Sequence, residues 1–250
     1  MRDSASSDSR AALKAEVASL DSLQPADHAR ISVVMVARNE AQNLPWVLER
    51  LDWFQGDRVL VDGRSTDDTA AIARRAGWRV ITDDGTGKGD ALRRGALEAC
   101  GEIVVYIDAD GSHDAADIPR LVTPILRGDA DLVLGSRMRG GSDELFASVR
   151  ELVRMFGSAI ITIAINYRFG LRLTDYQNGF RAIRREVMNS LGTRERIFTI
   201  EQEMAIKAIR AGHRVTEVPT HEYRRRAGQS HIVVWRVSWR YVWCLIRNLW

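Results

Sequence analysis

The chain is predicted to be an α/β domain built on a mostly parallel sheet with helices on both faces. Two observations predict this. Short apolar runs rich in Val and Ile alternate with helix-spaced segments from Ile31 to Gly135. Polar turns follow the runs directly: Arg38-Asn39-Glu40, Asp62-Gly63-Arg64, Asp108-Ala109-Asp110 and Gly135-Ser136-Arg137. In a parallel sheet such turns share one edge, where open α/β sheets bind ligands, so residues about a hundred positions apart should meet.

Ile31–Ala37 reads as the first strand, and Leu44–Phe54 has helical spacing with Pro45 in its first turn. Arg58–Val61 is the second strand. Ser65 or Thr66 is expected to cap the next helix, with Asp67 and Asp68 favourable in its first turn. Trp78–Thr82 is the third strand. Asp84-Gly-Thr-Gly-Lys-Gly89 reads as a flexible loop opening a helix over Asp90–Cys100. Ile103–Ile107 is wholly β-branched or aromatic, as suits a strand covered on both faces, and it runs into Asp108 and Asp110. A helix lies within Asp114–Leu126, its limits blurred by Pro119 and Pro124, and Leu132–Leu134 is a fifth strand. The alternation then lapses. Leu145–Phe169 is a long apolar helix, Thr174–Arg181 a loop or short strand, Phe198–Ala211 a helix, and Arg214–Val218 a strand closed by Pro219.

The bulk composition fits one large domain: 250 residues, 45% apolar and 28% charged. Its charge of +3 is uneven. Residues 221–250 hold six Arg and one Glu, net +5, leaving −2 for the rest. A nucleic-acid binder would not concentrate its charge this way, so the expected partner is a local anion near the C-terminus. Cys100 and Cys244 have neither zinc-site nor disulfide spacing, and no apolar leader core opens the chain, so the expected compartment is reducing and cytoplasmic. The Ser/Asp/Ala-rich start and a short helix over Ala11–Leu23, closed by Pro25, form an expected flexible tail over residues 1–29. A main domain over 30–230 and a helix over 231–250 complete the expected organisation. In that last stretch Arg236, Arg240 and Arg247 fall within an arc of about 40° on a helical wheel. Trp235, Trp239, Trp243 and Trp250 occupy the adjacent arc. Arg beside Trp is the composition of a membrane–water interface, and it equally suits a protein interface, including a homo-oligomer.

Asp108 and Asp110 offer hard oxygen ligands of the kind Mg²⁺ or Mn²⁺ shares with substrate phosphates. Together with Arg38-Asn39-Glu40, Asp62-Gly63-Arg64-Ser65-Thr66-Asp67-Asp68-Thr69, Gly87-Lys88-Gly89, Gly135-Ser136-Arg137 and Asn178-Gly179-Phe180-Arg181, they occur in an order that resembles family-2 glycosyltransferases of the GT-A fold. The dolichyl- and polyprenyl-phosphate sugar transferases are the most similar members, and the resemblance covers about Ile31 to Ser230. It implies an inverting transfer from a UDP- or GDP-sugar. Asp108 and Asp110 would hold the metal, with Asp108 also near the ribose. Arg38, Glu40, Asp62 and Lys88 would bind the nucleotide, and Arg137 and Arg181 would sit near the sugar–phosphate or instead pair a structural carboxylate such as Asp175. Asp175 lies in the acceptor-side loop and would be the base if the acceptor is a hydroxyl. Arg224-Arg225-Arg-Ala-Gly-Gln-Ser-His231 resembles an Arg-x-x-Gly-x-Ser-Lys segment that closes over the diphosphate, with His231 in place of Lys. Asp62-Gly63-Arg64-Ser65 stands where family members commonly carry Asp-Asp-Gly-Ser, so the second acid is lost and an Arg gained, which leaves the nucleobase open. The preferred acceptor is a polyprenyl phosphate met at the membrane surface by the C-terminal helix. The alternatives are a soluble hydroxyl acceptor and a nucleotide-sugar-binding module without turnover.

Overall fold

Seven strands form one sheet: β1 (Ile31–Ala37), β2 (Asp57–Asp62), β3 (Arg79–Thr82), β4 (Ile103–Asp108), β5 (Leu132–Ser136), β6 (Arg181–Arg184) and β7 (Val215–Pro219). The structure is a computed structural model that describes residues 23–143, 149–228 and 234–249. The strand order is β3-β2-β1-β4-β6-β5-β7, and every pairing is parallel except those of β6, which runs antiparallel between β4 and β5. In this register Ala37 lies opposite Asp62 and Val36 opposite Asp108, so the turns after β1, β2 and β4 open on one edge.

Ten helices flank the sheet among the described residues: α1 (Pro25–His28), α2 (Leu44–Glu49), α3 (Thr69–Arg75), α4 (Lys88–Glu98), α5 (Ile118–Leu126), α6 (Arg137–Gly140), α7 (Val149–Phe169), α8 (Arg185–Ser190), α9 (Ile200–Arg210) and α10 (Val234–Leu249). Both faces of the sheet are buried. Val33, Met35, Val105 and Ile107 pack with Leu44, Val47, Leu121 and Ile125 on one side. Val34, Val61, Val104 and Tyr106 pack with Leu92, Ile165 and Met204 on the other. A strand covered on both sides gains from apolar side chains at every position, hence the unbroken runs in β1 and β4.

Four expectations change. Pro25 opens α1 instead of closing a helix, because its fixed φ and missing N–H suit a first turn; most of the expected Ala11–Leu23 helix lies outside the described residues. Ser65 and Thr66 do not cap α3. Ser65 Oγ accepts from Asn39 N (2.9 Å), and Thr66 N donates to Asn39 Oδ1 (2.8 Å), which ties the turn after β2 to the turn after β1. The Gly87-Lys88-Gly89 stretch is not a flexible loop, for α4 begins at Lys88. A Cβ on Gly87 or Gly89 would run into the backbone carbonyls of Arg196 and Glu195, and Gly89 N donates to Arg196 O (2.9 Å). These glycines serve close packing. Finally, the C-terminal helix is no separate unit. α10 packs on α9 and α7, burying Cys244 and Asn248, with Gln202 Nε2 donating to Tyr241 O (3.0 Å) and Arg210 to Asn248 O (2.9 Å).

Gly95 seats α4 on the sheet, since a Cβ there would press on Val34 and come within 3.2 Å of Val61 Cγ2. Gly95→Val should therefore lower the unfolding free energy in urea by about 1–3 kcal/mol through overpacking.

Candidate active site

The turns after β1 to β4 open into one cavity of about 880 Å³, whose far wall is made by α7, α10 and the start of α9. Asp108 and Asp110 sit on its floor at the end of β4.

Lys88 holds the inner side. Its Nζ lies 2.8 Å from Asp108 Oδ1 and 2.9 Å from Glu201 Oε1. Burial alone would favour the neutral amine, but the two carboxylates outweigh it and raise the pKa, so Lys88 stays charged. Burial would likewise raise Asp108; Lys88 and then His113 overcome this and hold it well below the usual carboxylate range. His113 Nε2 lies 3.6 Å from Asp108 Oδ2, and its ring stacks on Phe180. A Cβ on Gly179 would come 2.8 Å from Asp108 Oδ2, so only glycine allows the Asn178-Gly179 backbone this close. Glu201, 2% exposed, lines the cavity, and its Oε2 has no hydrogen-bond partner among the described residues. Glu203 faces away. Its Oε2 accepts from the backbone N–H groups of Arg194 (2.8 Å) and Glu195 (2.7 Å).

Arg225 spans the outer side. It pairs with Glu40 Oε1, and its other nitrogen lies 3.5 Å from Asp110 Oδ2. Asp110 Oδ1 accepts from Ser112 N (3.0 Å) and Ser112 Oγ (2.7 Å). Asn43 Nδ2 donates to Glu40 Oε2 (2.7 Å) and to Ala227 O (3.2 Å), and the Arg226 guanidinium lies 4.5 Å over the Trp46 ring. The 225–227 segment is thus fastened across the turn after β1. His231, at the end of the same motif, lies outside the described residues.

This donor set fits a hard divalent cation. Asp110 offers a carboxylate whose Oδ2 makes a long contact (3.5 Å) with Arg225, and Asp108 stands beside it, held ionised by Lys88. No group of three or more His, Cys, Asp or Glu side chains that could hold a metal is present among the described residues. A cation here would complete its shell with diphosphate oxygens and water, the habit of Mg²⁺.

Other expected residues take different places. Arg38 lines the cavity and is exposed. Asp62 is buried and accepts from Ser65 N at 3.3 Å, a turn-closing role outside the cavity wall. Arg137 reaches the cavity, yet its guanidinium is bound to Asp175 (2.6 and 3.1 Å) and Glu222 (3.2 Å). Asp175 is therefore not a free base. Burial would raise its pKa, but Arg137 and the N–H groups of Gln177 and Arg137 prevail and lower it. Arg181 does not face the cavity either. It is wholly buried and donates to the carbonyls of Asn178, Tyr176 (3.2 Å) and Glu201 (2.7 Å), fixing the 176–179 loop against α9. Asp83, which the sequence reading passed over, lines the cavity with Arg64 Nε bonded to its carbonyl (3.3 Å). Burial, with Asp90 and Asp62 nearby, pushes its pKa up. An acid directly after β3 obeys the same strand-end rule that singled out Asp62 and Asp108.

A mostly parallel sheet with one antiparallel strand, and an acidic pair ending β4 under a cationic strap, defines the GT-A class of fold. Solved structures agree. Glucosyl-3-phosphoglycerate synthase from Mycobacterium tuberculosis, crystallised with Mn²⁺, UDP and glucosyl-3-phosphoglycerate, superposes with a TM-score of 0.70 at 24% identity, covering 88% of this chain and 80% of that one. The glycosyl transferase family 2 model matches residues 32–192, and the chain belongs to that family. Among its relatives, an uncharacterised glycosyltransferase of Mycobacterium tuberculosis is 36% identical over 203 residues, 81% of this chain and 89% of its own length. The undecaprenyl-phosphate mannosyltransferase of Micrococcus luteus is 31% identical (80% and 86% covered), as is the dolichyl-phosphate hexose transferase of Haloferax volcanii (81% and 86%).

The Asp175–Arg137 pair sets a pH dependence. A carboxylate with a depressed folded pKa contributes stability that is present above its unfolded value, about 3.9, and is lost as pH falls through the folded value. Urea midpoints should therefore decline as pH drops below about 4. Asp175→Asn should cost about 3–5 kcal/mol at neutral pH, by leaving Arg137 under-compensated, and should flatten that acid-side decline.

Proposed function

We propose that the chain transfers a hexosyl group from a UDP- or GDP-sugar to a polyprenyl phosphate at the cytoplasmic membrane surface, with inversion at C1 and with Mg²⁺ or Mn²⁺. The observation that carries this reading is the continuity of the cavity. It runs from Asp108 and Asp110 at the end of β4 to a wall of Ile160, Ile161 and Val242 on α7 and α10. One end suits a metal and a diphosphate; the other suits an isoprenoid. The names of the Micrococcus and Haloferax relatives support the acceptor class, and the Mn²⁺–UDP complexes of the synthase support the donor and the metal.

Asp110 and Asp108 would hold the cation, which when bound stabilises charge on the departing diphosphate. Lys88 keeps Asp108 ionised and oriented. Arg225, already at Asp110, is placed to donate to phosphate oxygens. A phosphate acceptor is an anion near neutral pH, so displacement needs no base, consistent with the engagement of Asp175. The two unpaired cysteines suit a reducing compartment. A second reading, a hydroxyl acceptor, is favoured by one observation, the unpartnered Glu201 Oε2 in the cavity wall, which offers a base in place of Asp175.

Radiolabelled transfer from UDP- and GDP-sugars to undecaprenyl phosphate should require divalent metal. Asp110→Ala should cut it at least about 100-fold. Full metal-dependent activity in that variant would refute the site. In the same assay Glu201→Gln should leave the pH profile of transfer to the lipid phosphate unchanged. Transfer to a soluble hydroxyl acceptor that Glu201→Gln abolishes, with none to undecaprenyl phosphate, would favour the second reading. Thermal shift with a panel of UDP- and GDP-sugars and Mn²⁺ identifies the base, since a ligand of the folded state raises the melting temperature.

A further inference from the structure

We infer that α7 and α10 together form one docking platform for an anionic bilayer, with α7 supplying half of it. This rests on the membrane-acceptor reading above and extends it from the C-terminal helix to a second helix that the reading did not include.

Each helix carries an apolar stripe turned outward. On α7, Phe156, Ile160, Ile163 and Tyr167 recur at helical spacing and are 59%, 67%, 66% and 91% exposed. On α10, Trp239, Val242, Trp243 and Ile246 do the same at 60%, 49%, 55% and 52%. The opposite faces, with Ile161 and Ile165 on one helix and Cys244 and Asn248 on the other, are buried. Because the helices contact each other, the two stripes belong to one surface. Eight large apolar side chains on two touching helices make a patch of the kind that marks an interaction site.

The charge around the patch selects the occupant. Residues 155–172 and 239–249 contain no Asp or Glu. Arg168, Arg172 and Arg240 are exposed on or just beyond these helices, and Arg194 and Arg196 are exposed on the segment that α10 touches through Tyr241. An apolar face with half-exposed Trp and an Arg rim matches the headgroup region of an anionic leaflet. A second copy of the chain would set the same arginines against each other, which disfavours self-association. No helix among the described residues is long and apolar enough to cross a membrane, so the platform lies on the surface.

The platform also borders the cavity. Gly157 and Ile160 of α7 and Tyr241 and Val242 of α10 line the cavity that holds Asp108 and Asp110. An acceptor with a phosphate head and an apolar tail would enter sideways between the helices, its tail remaining in the bilayer.

The test is co-sedimentation of the full chain with phosphatidylcholine vesicles, with and without phosphatidylglycerol. Two variants leave the cavity lining untouched: Ile163→Glu with Tyr167→Glu on α7, and Trp239→Ser with Trp243→Ser on α10. The wild type should bind the anionic vesicles, and each pair should weaken partitioning at least about ten-fold. UDP–Mn²⁺ affinity by calorimetry and far-UV circular dichroism should be unchanged. Loss only in the α10 pair would overturn the platform while sparing the C-terminal-helix reading. No vesicle binding by a wild type that still binds UDP–Mn²⁺ would overturn both and leave the donor site standing. Equal binding to neutral vesicles would overturn the charge selection. A dimer in light scattering that either pair dissolves, without vesicle binding, would assign the face to self-association and overturn the inference.

Discussion

Everything at the catalytic edge answers to one electrostatic constraint, the crowding of carboxylates. Glu40, Asp108, Asp110, Asp175, Glu201 and Glu222 meet within one cavity and its wall. Like charges at this spacing in a partly desolvated site drive each other toward protonation unless cations intervene. Three do, and each bridges two acids: Lys88 joins Asp108 to Glu201, Arg137 joins Asp175 to Glu222, and Arg225 joins Glu40 to Asp110. With Asp83 and Arg38 also lining the cavity, seven acids against four bases leave the site net negative. Such a site repels a bare diphosphate and welcomes one that arrives with a divalent cation. A requirement for divalent metal would then follow from the charge balance as well as from two particular ligands.

The bridging cations are held by a supporting layer. Glu203 grips the backbone of Arg194 and Glu195, the adjoining carbonyls receive Gly87 and Gly89, and Lys88 is thereby aimed at Asp108. On the other side Arg181 collects carbonyls from the 176–178 loop and α9, which seats Gly179 against Asp108. Both devices put backbone where a side chain would not fit. Their loss would reach the chemistry indirectly, through a displaced Lys88 or Asp108.

The sheet was readable because β1, β2 and β4 are covered on both faces, and burial on both sides leaves an unbroken β-branched signal. β6 was not: it has four residues with Arg at each end, and it pairs only because β4 and β5 leave a gap for it. Strand-end acids were readable from position, although Asp83 was passed over. What a single sequence does not encode locally is which partner a charge meets. Arg137 reads equally as a phosphate ligand or as the partner of a structural carboxylate such as Asp175, and only the fold, which brings Asp175 to it from 38 residues away, decides for the pair. Glycines around Lys88 read as flexibility until the carbonyls of residues 195–196 are found where their side chains would be.

The Trp- and Arg-rich helix presented the same ambiguity, and its resolution changes how the two ends of the cavity relate. Interface helix and packed helix were competing readings of one composition. α10 is a packed helix, with Cys244 and Asn248 facing α9, and it still leaves Trp239 and Trp243 facing outward. A helix that lay on a membrane without touching the domain would bring the enzyme to its acceptor but leave the reacting atoms unaligned. Packed as it is, with Tyr241 bonded to the 198 carbonyl (3.3 Å) three residues before Glu201, α10 ties the apolar surface to the segment that presents Glu201 to Lys88. The outward apolar surface and the group that anchors the acidic cluster are thereby parts of one wall.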